Sequence, residues 1–540
     1  MRWTIALALM AWTWIVPPQA HAQEPDSSLY ARVYHDEALN AFYIKNDGKP
    51  YWLFGTKPNE KAKALISVLD DAWQNGLNPY HYHTREIHTL LKDENTVPEK
   101  STMALELLLT DAFVNYARDL SGMRIKAADM DLDPRDWRQR ISEEQALELL
   151  DTQKGPMDEF LLSLEPQSKS YQLVKDELIR LAKRKDDSKF LHVSFAGLVR
   201  PGQGAKDIPK LRTRFSLPQP PEPGLYTYDD ALARAVMKFQ AENGLKPDGI
   251  IGKKTTEMLN MGREKKIEKL IVNLERLRWI KDGKPNRFII VNIPASQLWA
   301  VEDGKVKVSM PVVVGRKKRP TPSFVTMVHG MRFNPTWTVP PTIEKEDIWP
   351  KLKENPLYFN DKGMELYQKQ GEDYVTVDPA SVDWINMSED ELYTYKMVQN
   401  AGDNNPLGRI RVLMPNSQNV YLHDTNHPEV FEQSDRAQSS GCVRMEYPEK
   451  IAEFVLDHKH GWDKERMHEV LEEGKMKDVY IDPVFPVYLV YNTVWIGDND
   501  QIIYGEDLYG YDNKMMQLLE KLDESASIGH TVDRIANNVD

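Results

Sequence analysis

The stretch FIIVNIPASQLWAVEDGKVKVSMPVVVG, residues 288–315, decides the fold of the second half of the chain. Short runs rich in β-branched residues are broken at Glu302-Asp303-Gly304, which predicts a strand, a hairpin and a strand. The same pattern continues in MVHGMRFNPTWTVP, residues 327–340, and in RIRVLMPNSQNVYLHDT, residues 409–425. We therefore predict a domain that is mostly β-structure.

A charged, aromatic-containing insertion at about residues 340–405 interrupts this β pattern. The segment IEKEDIWPKLKENPLYFNDKGMELYQKQ has helical character. Long insertions beside a rigid scaffold often carry function, so we expect a helical lid. The alternative is a structural decoration with no role in chemistry.

The chain before this domain has helical periodicity. In KAKALISVLDDAWQNGL, residues 61–77, the apolar side chains fall on one helix face and Gly76 follows as a C-cap. Residues 23–195 are therefore predicted to form a helical scaffold. His81, His83 and His88 lie close in sequence, but no carboxylate or thiol cluster has ligand-like spacing around them, so we expect a solvated face rather than a metal site.

Composition limits the function classes. The chain has 540 residues, a net charge of −13 and one cysteine, Cys442. The acidic balance argues against a nucleic-acid partner, and a single cysteine cannot form a disulfide within the chain. Residues 1–22 have a basic start, an apolar run and Ala20-His21-Ala22, which predicts a signal peptide cleaved after Ala22 and a protein outside the cytoplasm; an uncleaved membrane anchor is the alternative.

Residues 196–262 carry a second set of signals, which begins with FAGLVRPGQG and ends with YDDALARAVMKFQAENGLKPDGIIGKKTTEMLN. Leu232, Ala235, Val236 and Phe239 form a helical stripe, and Gly244 is placed as a C-cap in the left-handed conformation. These residues resemble the three-helix peptidoglycan-binding module. A linker helix is expected at residues 263–283.

Cys442 lies in SSGCVR, residues 439–444, nineteen residues after His423. An unpaired cysteine in an exported protein is either a buried bystander or a reactive thiol. A nearby imidazole can take the thiol proton, and Gly441 permits a sharp turn whose N–H groups form an oxyanion hole. His427 could in principle complete a zinc site with His423 and Cys442, but Asn426-His427-Pro428 reads as a turn, so we predict no metal.

The residues around both side chains resemble the catalytic domain of the L,D-transpeptidases, the YkuD family. The resemblance rests on HDT at residues 423–425, SSGCVR at residues 439–444, and the upstream TPSF, NPTWTVP and NPLGRIRV segments. With the binding module, the helical scaffold and the insertion, the chain is similar to the large Gram-negative YcbB-type subgroup. Many family members have histidine where this chain has Ser440, so His423 is the one motif histidine able to act as a base.

The resemblance implies a role for each matching residue. Cys442 would be the nucleophile, His423 the general base, and the Asp424 carbonyl would orient the imidazole. The N–H groups of Gly441 and Cys442, with the Tyr421 hydroxyl, would bind the oxyanion. The remaining residues would shape the turn or bind substrate: Ser439, Ser440 and Arg444, the last of which would hold either the turn or a substrate carboxylate.

The implied fold is a multidomain α+β protein with a mainly β YkuD-type catalytic domain at residues 284–480 and a C-terminal extension at residues 481–540. The implied reaction is formation of 3-3 cross-links between peptidoglycan tetrapeptide stems in the periplasm, with release of D-alanine, no cofactor, and inhibition by carbapenems. The alternatives are an L,D-carboxypeptidase, attachment of a lipoprotein to peptidoglycan, and a non-catalytic wall-binding scaffold. Peptidoglycan synthases and carboxypeptidases are the further partners that this reaction implies.

Overall fold

A computed structural model of the chain describes residues 37–91, 96–184, 191–281, 285–497 and 500–523. The predicted signal segment lies outside these ranges. Within them, no helix combines the length and the apolar character that crossing a membrane requires. The chain divides into two compact units: a helical unit formed by the residues up to Lys281 with Val494–Tyr504 and the residues from Tyr511, and a sheet unit formed by Asp282–Thr493 with Gly505–Gly510.

The helical unit begins with a scaffold of short helices around a core of leucine and aromatic side chains. Its helix Glu60–Asp70 starts where the Asn59 side chain accepts the Ala62 N–H and ends earlier than predicted; Gly76, in the left-handed conformation, caps the short 3-10 turn Ala72–Asn75 that follows. The scaffold elements are α1 Glu37–Lys45, β1 Leu53–Phe54, β2 Lys57–Pro58, α2 Glu60–Asp70, α3 Thr84–Leu90, α4 Thr102–Ser121, α5 Glu143–Thr152, α6 Met157–Ser163 and α7 Lys169–Ala182.

The predicted solvated histidine face is wrong for His83. That side chain is buried, and its Nε2 lies 2.5 Å from Asp111 Oδ2. His81 lies 3.7 Å from both Asp119 and Asp523, whereas His88 is exposed beside Asp70. The sequence could not show this, because the carboxylate partners are distant along the chain.

The module that follows contains α8 Ile208–Arg214, α9 Asp230–Glu242 and α10 Lys253–Leu259, and then the long helix α11 Arg263–Arg278. The buried Gln240 side chain accepts the Gly249 N–H and donates to Ile250 O and to the Thr255 hydroxyl. Gly244 has the expected left-handed backbone. The residues of this segment that resemble the module, among them Gln240 and Gly249, therefore serve the core and the turn that hold the helices together.

The sheet unit is built on nine strands in the order β13-β5-β14-β12-β11-β6-β15-β3-β4, and a further pairing of β4 with β5 closes the sheet on itself. The predicted hairpin forms β4 and β5, which pair antiparallel across Asp303-Gly304. These strands are β3 Arg287–Asn292, β4 Gln297–Glu302, β5 Lys305–Gly315, β6 Phe324–Phe333, β11 Ile410–Leu413, β12 Leu422–His423, β13 Ala437–Ser439, β14 Val443–Met445 and β15 Lys477–Val490.

The insertion has a hydrophobic core of its own and a four-stranded antiparallel sheet of order β7-β10-β8-β9. The sequence predicted only its helices, so the strands are a correction; charged residues on their exposed faces hid the alternating pattern. The elements are β7 Trp337–Thr338, α12 Pro341–Ile343, a π-helical segment Glu344–Ile348, α13 Trp349–Glu354, α14 Tyr358–Lys362, β8 Met364–Gln370, β9 Asp373–Val377, α15 Glu389–Leu392 and β10 Tyr395–Gln399.

Two amphipathic helices, α16 Pro448–Leu456 and α17 Lys464–Glu472, follow the motif strands of the sheet unit. The two strands in the segment from Val484 to Ile496 pair with different partners. β15 joins the large sheet between β6 and β3, whereas β16 Val494–Ile496 pairs with β17 Ile502–Tyr504 in the helical unit. The last described helix is α18 Tyr511–Leu522.

Candidate active site

His423 ends strand β12, and Cys442 immediately precedes β14, the strand that pairs in parallel with β12 in the large sheet. β12 and β14 pair so that His423 is opposite Arg444, and the Val443 N–H donates to Tyr421 O at 2.9 Å. Neighbouring strands are about 4.8 Å apart and residues two apart share a face. His423 and Arg444 therefore share one face of the sheet, and the Cys442 thiol, whose sulfur lies 3.8 Å from Asn419 O, is close enough to Arg411 and Arg444 for their charges to act on it.

The imidazole of His423 is buried and held by its neighbour. Its Nδ1 lies 2.5 Å from the carbonyl oxygen of Asp424, and the backbone of Leu407 also hydrogen-bonds the ring. The Asp424 carboxylate is itself fixed, because it accepts the N–H groups of Arg409 at 2.7 Å and Thr425 at 2.6 Å. Asp424 thus lies where its predicted orienting role requires.

Gly408 makes this arrangement possible. Its backbone is left-handed, with φ of +60°, and a Cβ built there would lie 2.2 Å from the Asp424 side chain. Any larger residue would push Asp424 away from the position in which its carbonyl meets His423. The sequence showed Gly408 only as a letter of the NPLGRIRV segment, so its role as the base of the histidine support was missed.

Side-chain hydrogen bonds from two residues hold the turn that carries Cys442. The Ser439 hydroxyl donates to Cys442 O at 2.5 Å, and the buried Thr321 hydroxyl donates to Gly441 O at 2.7 Å. Gly441 has φ of +115°, a conformation that favours glycine. Thr321 was seen only as part of the TPSF segment, and its contact with the turn becomes visible in the fold alone.

The oxyanion site differs in part from the prediction. The Gly441 N–H donates to the Ser439 hydroxyl at 3.2 Å, so in this conformation it already has an acceptor. Across the residues that the structure describes, no hydrogen bond engages the Cys442 N–H. The Arg411 guanidinium lies 3.6 Å from the centre of the Tyr421 ring. Among the described residues, no hydrogen bond links the Tyr421 hydroxyl to the cysteine turn. Of the predicted donors, the Cys442 N–H is therefore the one ready to bind an oxyanion.

Burial sets the protonation states of the pair. It raises the pKa of the Cys442 thiol above its ordinary value, although Arg411 and Arg444 act in the opposite direction. Burial, with the positive charges of Arg444 and Arg411, lowers the pKa of His423 to about 3. These directions favour a neutral thiol beside a neutral imidazole in the resting site, rather than a preformed thiolate–imidazolium pair. Proton transfer to His423 would then accompany the attack of the sulfur.

Two arginines on the same sheet face lack acidic partners. Arg411 on β11 is opposite His423, and Arg444 is opposite it on the other side. No carboxylate of the described residues lies within ion-pair distance of either guanidinium, whereas Arg332, the next residue in this row, is paired with Asp478 at 2.6 Å. Partly buried cations without counter-charges are costly unless a ligand supplies one. The sequence named Arg444 and missed Arg411.

Ser440 and His427 complete the predicted residues. The Ser440 hydroxyl accepts a hydrogen bond from Arg319 at 3.0 Å. His427 is exposed and lies 3.1 Å from Glu429. In the described part of the chain, the side chains close enough to share a metal ion are Glu302, Asp457 and His458, a set that contains neither His427 nor the cysteine.

Three family models match successive parts of the chain. Residues 286–481 match the "L,D-transpeptidase catalytic domain" model. Residues 37–178 match a model described as "Scaffold domain", and residues 220–259 match the "Putative peptidoglycan binding domain". The match to the catalytic model contains both strands of the thiol and imidazole pair and the whole insertion.

A protein of Haemophilus influenzae named "Putative L,D-transpeptidase" is 37% identical over 248 residues, which are 46% of this chain and 49% of that protein. The chain therefore spans about half the length of the curated relative that it matches. Two solved structures are also similar: an L,D-transpeptidase from Mycobacterium smegmatis, with 14% identity, 38% and 58% coverage and a TM-score of 0.19, and one from Stackebrandtia nassauensis, with 13% identity, 56% and 96% coverage and a TM-score of 0.20. Such TM-scores are too low to support conclusions about this chain.

Proposed function

Residues 286–481 are an L,D-transpeptidase catalytic domain of the YkuD family, and from this premise we propose that the protein forms 3-3 cross-links in peptidoglycan through a Cys442 acyl-enzyme. The observation that carries the proposal is the pairing of β12 with β14, together with the contact of His423 Nδ1 with Asp424 O. The half-buried Cys442 thiol precedes β14, and the buried His423 imidazole ends the neighbouring strand β12, so the site supplies a nucleophile and a base of the kinds that acyl transfer uses.

The first half-reaction is acylation. The Cys442 sulfur attacks the carbonyl carbon of the third stem residue, the diaminopimelate of Gram-negative walls, while the thiol proton moves to the His423 imidazole. The oxyanion of the tetrahedral intermediate is stabilised by the Cys442 N–H. Collapse of the intermediate breaks the bond to the terminal D-alanine, whose amine takes the proton from the imidazolium. The enzyme is left as a thioester.

The second half-reaction regenerates the thiol. The side-chain amine of a diaminopimelate on another stem attacks the thioester carbonyl, and His423 accepts a proton from that amine. The new amide joins two third-position residues, and the sulfur leaves with the proton held by His423. Atoms balance without a cofactor, since one amide is broken and one is formed.

Substrate orientation is assigned to Arg411 and Arg444. Both flank His423 on one face of the sheet, and neither has an acidic partner among the described residues. A stem carboxylate would supply the missing charge and form charge-assisted hydrogen bonds, which are stronger than neutral ones. The proposal thus gives Arg444 a substrate carboxylate, rather than the turn, as its partner.

We also propose that the protein acts in the periplasm, which the signal-like segment at residues 1–22 supports, and that carbapenems acylate Cys442. The "Putative peptidoglycan binding domain" at residues 220–259 supports attachment to the wall that the catalytic domain modifies. Tetrapeptide stems are the substrate class, and the enzymes that make and trim the stems are the expected partners.

The test uses purified protein and its Cys442→Ala variant with diaminopimelate-containing disaccharide tetrapeptide, and the products are weighed by mass spectrometry. A cross-linked dimer lighter than two donors by one alanine, absent with Cys442→Ala, is the expected result. Tripeptide without dimer would contradict cross-linking and indicate a carboxypeptidase or a different acceptor. Unchanged substrate, together with no carbapenem adduct on Cys442, would refute the proposal that Cys442 is a catalytic nucleophile.

A further inference from the structure

We propose that Arg319 is a positioning residue that couples the insertion, residues 340–405, to the nucleophile turn, residues 439–442. Arg319 does not contact the reacting atoms and acts through Ser440, the residue before Gly441. The inference rests on the proposed function for its consequence in turnover, whereas the coupling itself rests on contacts within the sheet unit.

At the insertion, the guanidinium of Arg319 binds two carboxylates. Its Nη1 donates to Asp347 Oδ2 at 2.6 Å, its Nη2 donates to Asp347 Oδ1 at 3.2 Å, and Nη2 also donates to Glu346. The Arg319 side chain is only 10% exposed, so solvent screens these contacts less than it screens surface ion pairs. A fork-like contact of this kind fixes direction as well as distance.

The carboxylates are rigidly attached to the insertion. Glu346 and Asp347 belong to the π-helical segment Glu344–Ile348, whose Glu344 and Ile348 side chains are buried. Ile348 packs in the insertion core with Leu352 and Trp384. The segment therefore turns one side to the core of the insertion and the other to Arg319. Short π-helical segments are rare and occur often at functional sites.

The guanidinium of Arg319 also contacts the nucleophile turn. The same Nη1 that binds Asp347 donates to the Ser440 hydroxyl at 3.0 Å. Two residues further along, the Thr321 hydroxyl donates to Gly441 O. One short loop thus holds the turn at two successive residues, one of them through a side chain whose position the insertion sets.

This arrangement gives the insertion a direct influence on the chemistry. If Asp347 moves with the insertion, the shared Nη1 of Arg319 either moves with Asp347 or loses its hydrogen bond to that carboxylate. In either case the hydrogen bond to Ser440 changes. A displacement of about 1 Å at a catalytic group can cost up to about 100-fold in rate, so a small change at Ser440 is enough to matter at Cys442. The position of the insertion and the geometry of the turn are therefore linked through one side chain.

The experiment compares Arg319→Met, Asp347→Asn and the double variant in the full chain, with Lys345→Met as the matched control. Lys345 forms an ion pair with Glu389 at 2.6 Å, and both residues belong to the insertion, but neither contacts the turn. Thermal unfolding and circular dichroism verify that each variant is folded. Two rates are measured: acylation of Cys442 by the disaccharide tetrapeptide, and alkylation of Cys442 by iodoacetamide, which needs no substrate.

Each single variant is expected to slow acylation about tenfold, and the double variant to be no slower than the slower single one, because both remove the same contact. Alkylation is expected to become faster in all three, since a released turn exposes the thiol, and Arg319→Lys should restore part of the acylation rate. Lys345→Met should match the wild type in both rates.

Additive losses in the double variant, or equal losses in Lys345→Met, would overturn the coupling, as would alkylation rates that do not change in Arg319→Met. Failure of the proposed function has a different signature: the wild type would give no acyl-enzyme with tetrapeptide. The alkylation rates of the variants would still decide the role of Arg319 in that case.

Discussion

Glu344 is a buried carboxyl group in the π-helical segment of the insertion, and its replacement by glutamine should stabilise the protein in a pH-dependent way. Its side chain is 4% exposed. Burial raises its pKa from 4.5 to about 7, although the backbone N–H of Met397 acts in the opposite direction. The folded protein therefore favours the protonated acid, whereas the unfolded chain ionises at an ordinary pH.

The sign and size of the effect follow from this difference. Below pH 4.5 both states are protonated and Glu344 has no cost; between pH 4.5 and 7 the unfolded state loses its proton first, and stability falls as pH rises. Above pH 7 the cost is constant, and the difference between a pKa of 4.5 and one of about 7 corresponds to about 3 kcal/mol, because a tenfold change in an ionisation constant is about 1.4 kcal/mol. Glutamine keeps the shape and cannot ionise.

The assay is thermal unfolding of the full chain by calorimetry at pH 4.5 and pH 8, for wild type, Glu344→Gln and the exposed control Glu354→Gln. We expect Glu344→Gln to raise the free energy of unfolding by about 3 kcal/mol at pH 8 and by less than about 0.5 kcal/mol at pH 4.5. Glu354→Gln should show no such difference between the two pH values. An equal effect of Glu344→Gln at both pH values would refute the reasoning, because the gain would then come from packing rather than from ionisation.

Three other substitutions test the site. Gly408→Ala should lower turnover about 100-fold in a steady-state assay, because a Cβ there would displace Asp424 and with it the imidazole; wild-type turnover would contradict this. Gly441→Ala should cost about 1–3 kcal/mol in unfolding free energy, since its φ of +115° is strained for alanine, and an unchanged midpoint would count against it. Arg411→Gln should raise KM for tetrapeptide about tenfold with a smaller effect on kcat, while Arg332→Gln, which breaks an existing ion pair, should not; equal effects would refute a carboxylate site at Arg411.

The sequence predicted those parts of the fold and site whose signals are local. The strand and hairpin pattern of residues 288–315 depends on neighbouring residues, and the resulting strands β3, β4 and β5 formed as expected. The thiol and the imidazole were identified because their motifs are short and continuous. Asp424 was identified for the same reason, since it is adjacent to His423 in the chain.

What the sequence could not predict depends on residues brought together by the sheet. Arg411 faces His423 only because β11 pairs antiparallel with β12 in one register, and a shift by one residue would turn it to the other face. Thr321 reaches Gly441 across 120 positions of the chain. The buried His83 illustrates the same limit, since its carboxylate partner is 28 residues away. No periodicity or spacing within one segment carries such information.

The π-helical segment contains both the buried Glu344 and Asp347, the carboxylate that binds Arg319. A last prediction follows from this combination. Ionisation of Glu344 above pH 7 places a charge in the core against which the segment packs, which favours local opening there. Because Asp347 belongs to the same segment, opening would loosen Arg319 and hence the Ser440 contact. Acylation of Cys442 by wild-type protein should therefore fall, relative to Glu344→Gln, as pH rises through about 7, whereas the two proteins should acylate at equal rates near pH 5. Parallel pH profiles for the two proteins would contradict a link between the ionisation of Glu344 and the contact of Asp347 with Arg319. The segment would then act on the turn by its packing alone.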